Sequence, residues 1–232
     1  KAYANTVAAL MRMDPDLVML GEVRDRYSAQ AMQQLAETGH MALGTVHAHL
    51  LSGIVPRLTN QEIGLSRDVL SGPNMVTMLV YQALVAKLCQ HCALQTSDVE
   101  GKDEGIDAML QAIRHLGLDE STFRWKRTGG CEHCNSRGTK GQTVVAEMLM
   151  PDEDWLRHIR DGRDDLAVEA YRHYSDMNLM SDNMRGKTVF EHTLLKAIKG
   201  ITDARQCTRF DNPEHFVARF NRLRSKSTKS YS

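Results

Sequence analysis

The sequence predicts an α/β fold that also contains a metal-binding insert and a helical C-terminal region, and three observations support this prediction. Two short apolar runs, Leu17 to Leu20 and Met41 to Val46, have the length of strands buried on both faces of a parallel sheet. Between them, Tyr27 to Glu37 has helical character, so the three segments form a β-α-β unit. Two C-x-x-C pairs follow, and apolar positions after Asp152 have helical spacing.

Charged residues follow the first predicted strand directly. The apolar run ends at Gly21, and Glu22, Arg24 and Asp25 come next. In open α/β sheets, ligands bind at the carboxyl ends of the strands, so a site is expected here. A glutamate can orient and deprotonate a water molecule, and an arginine can offset phosphate charge. An ordinary charged turn after a strand has the same composition, so these residues alone leave both interpretations open.

Two histidines flank the second predicted strand. His40 precedes it and His47 follows it. An imidazole just past the end of a strand can sense a phosphate or pass a proton. A single histidine is more often a surface or core residue, so the indication of function comes from the combined pattern of both strands.

The two segments together resemble the motor ATPases of type II secretion and type IV pilus assembly. That family has a Walker B segment, L-R-x-D-P-D-hydrophobic-x-x-G-E-hydrophobic-R-D, followed by a histidine box, T-G-H-hydrophobic-x-x-x-T-hydrophobic-H. Leu10 to Asp25 and Thr38 to His47 match these motifs nearly throughout, and Arg57-Leu58 lies where the family has Arg-Leu. The resemblance covers residues 5–205 and is most specific over residues 10–60 and at four cysteines.

The resemblance implies part of a RecA-like P-loop NTPase core, ring-shaped homohexamers and ATP hydrolysis coupled to domain movement. On the matching positions, Glu22 is expected to polarise the attacking water. His47, with His40 nearby, is expected to couple the γ-phosphate to domain movement. Positive charge within or between subunits is expected from three arginines: Arg12, Arg24 and Arg57. Arg12 also fits a solvated helix residue before the strand.

A phosphate-binding loop of the form G-x-x-x-x-G-K-[ST] is absent from the 232 residues. Arg185-Gly-Lys-Thr188 contains its ending, but Ser181 stands where the first glycine is required. We therefore expect the chain to be a fragment or a processed piece, with the Walker A loop upstream of Lys1, and to be inactive alone. ATP and Mg²⁺ are expected as cofactors of the full-length motor. Contact with Mg²⁺ is expected to be indirect, because Gly21 stands where many NTPases have a metal-binding aspartate.

The four paired cysteines predict a structural zinc site. Cys89 and Cys92 form one pair and Cys131 and Cys134 the other, with 38 residues between the pairs. Four thiolates complete a tetrahedral shell with no open position, which favours Zn²⁺. Two disulfides, or free thiols, are the alternatives, although cytosolic thiols stay reduced.

The residues between and within the cysteine pairs also have predicted roles. A helix from Gly105 to Leu116 is expected to fill the spacing between the pairs, and His91 and His133 are expected not to bind the metal. Cys207 is expected to be an ordinary thiol. In the family that the chain resembles, the tetracysteine segment occurs in assembly-type motors, so the resemblance implies an extension or secretion motor.

We predict four segments along the chain. Residues 1–88 form the C-terminal part of the ATPase core and residues 89–134 the zinc subdomain. Residues 135–209 form a strand that returns to the core and a C-terminal helical subdomain. Residues 210–232 form a basic tail that is either solvated or in contact with acidic lipid head groups.

Composition and charge restrict the partners. The chain has 29 basic and 29 acidic residues, so nothing in its net charge requires a polyanion. No apolar run approaches the roughly 18 residues of a membrane span, and we expect no signal peptide. The resemblance implies a cytoplasmic protein peripheral to the bacterial inner membrane, whose zinc subdomain contacts an inner-membrane platform protein.

Two other classes of function remain open. The chain fits a catalytically inactive, zinc-stabilised interaction module of a secretion or pilus system. It fits a nucleic-acid-binding zinc protein less well. Basic residues do lie near the cysteine pairs, at Lys126, Arg127, Arg137 and Lys140. However, Glu132 and the acidic run from Asp98 to Asp107 would repel the phosphates of a nucleic acid.

Overall fold

The computed structural model describes residues 9–229, which contain six strands and nine named helices. The strands are β1 (Leu17–Glu22), β2 (Met41–Thr45), β3 (Leu79–Leu88), β4 (Leu94–Gln95), β5 (Arg124–Trp125) and β6 (Thr139–Leu149). The helices are α1 (Arg26–Glu37), α2 (Ile54–Thr59), α3 (Arg67–Leu70), α4 (Thr96–Val99), α5 (Glu104–His115), α6 (Glu153–Arg160), α7 (Asp164–His173), α8 (Val189–Ile198) and α9 (Pro213–Lys229). Residues 9–12 are also helical. The mixed α/β class is therefore confirmed.

The described residues fall into two compact units. The first unit contains the chain up to Tyr81 together with Met148–Tyr174, and the second contains Gln82–Glu147 and the chain from Ser175 onward. The strands form three pairs, β1 with β2, β3 with β6, and β4 with β5. Among residues 9–229, no helix is both long enough and apolar enough to cross a membrane.

In the first unit, β1, α1 and β2 form the predicted β-α-β unit. The two strands are parallel, with Leu17 opposite Met41 and Met19 opposite Leu43. The helix between them begins with a capping box, in which Asp25 accepts a hydrogen bond from the Ser28 backbone. Its apolar side packs on the strands through Ala31 and Leu35, which contact Val18.

The prediction that the two strands are buried on both faces is wrong for the described residues. Met19 is 70% exposed and Met41 is 61% exposed, and Leu17 and Leu43 are also exposed. Among residues 9–229, α1 covers one face of this two-stranded sheet, and the other face is open. An all-parallel sheet normally has both faces covered, so this open apolar face is unusual for the class.

Two helical segments complete the first unit. Trp155 and Ile159 of α6 and Tyr171 of α7 are buried in one apolar cluster with residues of α2 and α3. A bidentate ion pair joins α3 to α7, since the Arg67 guanidinium donates to both carboxylate oxygens of Asp164 at 2.7 and 2.8 Å. This geometry is the strong form of an arginine–carboxylate contact, and it fixes the position of the short α3.

The second unit has one core, to which the insert and the C-terminal helices both contribute. Helix α5 confirms the helix predicted between the cysteine pairs, and its Met109 and Ile113 are fully buried. They belong to the same cluster as Phe190 of α8 and Phe216 and Phe220 of α9. Residues 213–229 are therefore helical, and the first turns of this helix are packed in the core. The sequence predicts a basic tail here, either solvated or in contact with acidic lipid head groups.

Candidate functional site

The carboxyl ends of β1 and β2 lie at the same edge of their sheet, because the strands are parallel. Glu22 is the last residue of β1 and lies opposite Thr45, the last residue of β2. His47 follows two residues later, and its Nε2 lies 3.5 Å from Oε1 of Glu22. The Glu22 side chain is 42% exposed, and the His47 side chain is 89% exposed. A carboxylate and an imidazole thus share one solvent-accessible edge, where they can exchange a proton through a bound water.

A β-bulge turns Glu22 away from the covered face of the sheet. Between Met19 and Glu22 the register shifts by one residue, and Gly21 adopts a left-handed backbone with φ of +45°. Without the bulge, Glu22 would continue the alternation of Val18 and Leu20, which face α1. With it, Val23 is the next buried residue and Glu22 lies outside. Glycine suits position 21 because other residues rarely adopt this conformation.

Ser28 orders the turn that follows Glu22. Its buried hydroxyl accepts hydrogen bonds from the backbone N–H groups of Arg24 and Asp25 at 3.1 and 3.2 Å. The backbone N–H and hydroxyl of Ser28 also hold the pKa of Asp25 below its ordinary value, so this carboxylate is charged at neutral pH. The turn leaves the Arg24 side chain exposed beside the edge that bears Glu22.

The structure does not bring His40 close to His47. His40 precedes β2 and His47 follows it, so an extended strand of about 17 Å separates them, at about 3.3 Å per residue. The expectation that the two histidines lie near each other is therefore wrong. Nδ1 of His40 lies 3.0 Å from the Thr38 hydroxyl, and its buried Nε2 has no hydrogen-bond partner among residues 9–229.

The remaining predicted arginines lie apart from the Glu22–His47 pair. Arg57, in the last turn of α2, donates to Glu62 at 2.8 Å in a half-exposed ion pair. Arg12 ends the helical segment at residues 9–12 and is exposed. Of the predicted catalytic side chains, Glu22 and His47 are thus the two that the described structure places in contact.

The four predicted metal ligands form one cluster in the second unit. The sulfur atoms of Cys89, Cys92, Cys131 and Cys134 all lie within 4.8 Å of one another. The sulfur of Cys131 lies 3.8 Å from the sulfurs of both Cys89 and Cys134, and the sulfurs of Cys92 and Cys134 are 3.9 Å apart. None of these four cysteines forms a disulfide.

These distances fit a zinc ion held by four thiolates. A Zn–S bond of about 2.3 Å in a tetrahedron places neighbouring sulfurs about 3.8 Å apart, as observed. Backbone N–H groups of Cys131 and Gly138 each donate to Sγ of Cys134 at 3.2 Å. The hydrogen bond from the Cys131 backbone lowers the pKa of Cys134 to about 6, which favours the thiolate that a metal requires, whereas burial raises the pKa of Cys92 to about 12. His91 and His133 stack on each other with ring centroids 3.9 Å apart, outside the sulfur cluster.

Three residues to which the sequence interpretation assigned no role help to build the two sites. Thr45 donates from its hydroxyl to the Gly21 carbonyl at 3.1 Å, across the bulge. Ser28 orders the turn after Glu22, and Gly138 contacts Cys134. A serine three residues after Asp25 is a recognisable capping signal. The contact of Thr45 with Gly21 joins two different strands and leaves no local signal.

Comparison with known proteins gives consistent matches over most of the chain. The family model described as Type II/IV secretion system protein matches residues 1–209. The chain is 30% identical over 203 residues to the type IV pilus assembly ATPase PilB of Thermus thermophilus. It is 29% identical over 196 residues to the type II secretion system protein E of Aeromonas hydrophila. These alignments cover 86% and 83% of this chain but only 20% and 36% of the respective relatives, so the chain spans about a third of their length or less.

A solved structure of the pilus retraction motor PilT with bound ADP shares the fold. It superposes with a TM-score of 0.55 at 17% identity, covering 91% of this chain and 44% of PilT. At this identity the likeness concerns the fold alone. It confirms the predicted fold class, because the chain has the fold of part of that motor.

Proposed function

Because the chain belongs to the type II/IV secretion system protein family, we propose that it is the C-terminal part of a hexameric ATPase. The motor powers type IV pilus assembly or type II secretion, and couples ATP hydrolysis to movement between its domains. The main support is the Glu22–His47 contact of 3.5 Å at the carboxyl edge of a parallel strand pair. Ligands bind at such edges in α/β proteins, and a carboxylate with an adjacent imidazole suits proton transfer.

In this proposal Glu22 accepts a proton from the water that attacks the γ-phosphate. Its exposed carboxylate can reach such a water, and the bulge at Gly21 holds it outside the covered face. The imidazole of His47 contacts the same carboxylate, so a change at the phosphate that moves Glu22 also moves the segment after β2. Arg24 supplies positive charge beside this edge, and Arg12 and Arg57 supply it at contacts between subunits.

The phosphate-binding loop belongs, in this proposal, to a part of the protein outside these 232 residues. The chain contains no G-x-x-x-x-G-K-[ST] motif, and the curated relatives that it matches are much longer. Phosphoryl transfer depends on backbone N–H groups and a lysine that hold the β- and γ-phosphates, and on Mg²⁺ to offset charge. We therefore expect the 232-residue chain to be inactive by itself.

The four cysteines hold a structural Zn²⁺ in this proposal. Cys89 follows β3 directly and Cys134 lies five residues before β6, so an ion bound by both pairs would join the ends of two paired strands. Zinc with four thiolates has no open coordination position, so it supplies stability rather than chemistry. The surface around it contacts an inner-membrane platform protein, which places the motor at the cytoplasmic side of the membrane.

ATP hydrolysis by two purified proteins tests the proposed function. We expect the protein that the complete gene encodes to hydrolyse ATP as a hexamer, and the 232-residue chain to release no phosphate above the buffer control. Hydrolysis by the 232-residue chain would contradict the proposal that the phosphate-binding loop lies outside these residues. If the complete protein binds zinc but does not hydrolyse ATP, the chain is instead part of an inactive, zinc-stabilised interaction module.

A further inference from the structure

Gly138 forms hydrogen bonds with both cysteine pairs. Its backbone N–H donates to Sγ of Cys134 at 3.2 Å, within the second pair. Its carbonyl accepts a hydrogen bond from the backbone N–H of Cys89 at 3.1 Å, in the first pair. One peptide segment, directly before β6, therefore joins two pairs that are 38 residues apart in the sequence.

The backbone around Gly138 leaves no room for a side chain. Gly138 has a left-handed φ of +71°, and a Cβ atom at this position would lie 2.4 Å from the carbonyl oxygen of Arg127. Gly130 faces the same point, since a Cβ there would lie 2.4 Å from the Gly138 nitrogen. Both close contacts are with backbone atoms, so a larger residue at position 138 would have to displace the segment.

We propose that Gly138 is a positioning residue for the metal site, which sets the distance between the two cysteine pairs. This inference rests on the zinc site of the proposed function and assigns a role to a residue that does not bind the metal. The two hydrogen bonds join protein atoms only, so they hold Cys89 and Cys134 in place without a contribution from the ion. A site whose ligands are held in place binds a metal more tightly than one that must assemble them.

The test compares Gly138→Ala with Gly141→Ala in the complete chain. Gly141 is a matched control, because its φ is +77° and a Cβ there would meet only the Lys87 side chain, at 3.4 Å. Zinc affinity is measured by competition with a chromophoric chelator, and the ligand set by the absorption bands of the Co²⁺-loaded protein. We expect Gly138→Ala to bind zinc about 10–100-fold more weakly and to give altered Co²⁺ bands. Gly141→Ala is expected to keep the wild-type affinity within about threefold and the wild-type bands.

Equal zinc affinities and identical Co²⁺ bands for the two variants would overturn the inference. If the wild-type chain does not bind Zn²⁺ or Co²⁺ through four thiolates, the proposed zinc site itself fails, which is a different result.

A second measurement does not depend on how the variants fold. Amide hydrogen exchange is followed in the wild-type chain after treatment with a chelator. We expect the amides of Cys89 and Gly138 to exchange at least about tenfold more slowly than in an unstructured chain, because their partners are protein atoms. Exchange at the unstructured rate would show that only the metal holds the two pairs together, and would also overturn the inference.

Discussion

Replacement of Glu22 by glutamine is expected to lower ATP hydrolysis by the complete gene product about 10²–10⁴-fold, the usual contribution of a general base. Glutamine keeps the size of the side chain but cannot accept the proton of the attacking water. Stability should change little, because the Glu22 side chain is 42% exposed and its one described ion-pair partner is the exposed His47. The measurement is steady-state phosphate release, with thermal unfolding of the same samples.

Glu37→Gln provides the matched control for this experiment. Glu37 is an exposed residue at the end of α1, and it accepts a hydrogen bond from Gln33. We expect this variant to hydrolyse ATP at the wild-type rate. A Glu22→Gln protein that retains more than about a tenth of the wild-type rate would show that Glu22 is not the general base.

Replacement of Lys187 by methionine is expected to lower the free energy of unfolding by about 3 kcal/mol, the lower end of the range for a broken buried ion pair. The Lys187 side chain is 2% exposed, and its ammonium group forms an ion pair with Asp176 at 3.1 Å. It also donates to the carbonyl oxygens of Asn178 and Ser181 at 2.6 and 3.0 Å. Methionine has a similar length but would leave these oxygens without their donor. Asp176 is 30% exposed and can regain some solvation, which limits the loss.

The unfolding measurement uses urea, with Lys199→Met as the control. Lys199 lies nearby in sequence but is 44% exposed, and it pairs with the exposed Asp182. Surface pairs of this kind contribute little to stability, so we expect the control to unfold at nearly the wild-type urea concentration. A loss below about 1 kcal/mol for Lys187→Met would mean that the loop from Asp176 to Ser181 does not depend on this lysine.

The position of Lys187 also explains why Arg185-Gly-Lys-Thr188 is not a phosphate-binding loop. A P-loop lysine must reach the β- and γ-phosphates of a nucleotide. Here the lysine is buried, and Thr188 is the N-cap of α8, where its hydroxyl accepts a hydrogen bond from Glu191. The sequence excludes the motif because Ser181 replaces the first glycine, and the packing of Lys187 gives an independent physical reason.

Local signals predicted the β-α-β unit and the cysteine cluster correctly. The helix between β1 and β2 follows from its apolar spacing, and its start is fixed by the Asp25 cap. The cysteine cluster follows from pair spacing, because each C-x-x-C turn brings two sulfurs together regardless of the insert between the pairs. Both features depend on residues that are close together in the sequence.

Features that depend on distant contacts could not be predicted in the same way. The open face of β1 and β2 differs from the prediction because an apolar run indicates which residues can be buried, not what covers them. The separation of His40 from His47, by contrast, already follows from the strand predicted between them, and only the family resemblance suggested that they lie close together. Nothing local indicates that Phe216 and Phe220 pack against the helix of the insert.

A double-mutant cycle on Glu22 and His47 tests most directly whether the two side chains act as one unit. ATP hydrolysis is measured for the complete gene product with Glu22→Gln, with His47→Asn, and with both changes. If His47 acts through the carboxylate that it contacts at 3.5 Å, the double variant will lose no more activity than Glu22→Gln alone. If the two losses multiply, the side chains act independently, and the account of this strand edge as a single catalytic unit is contradicted.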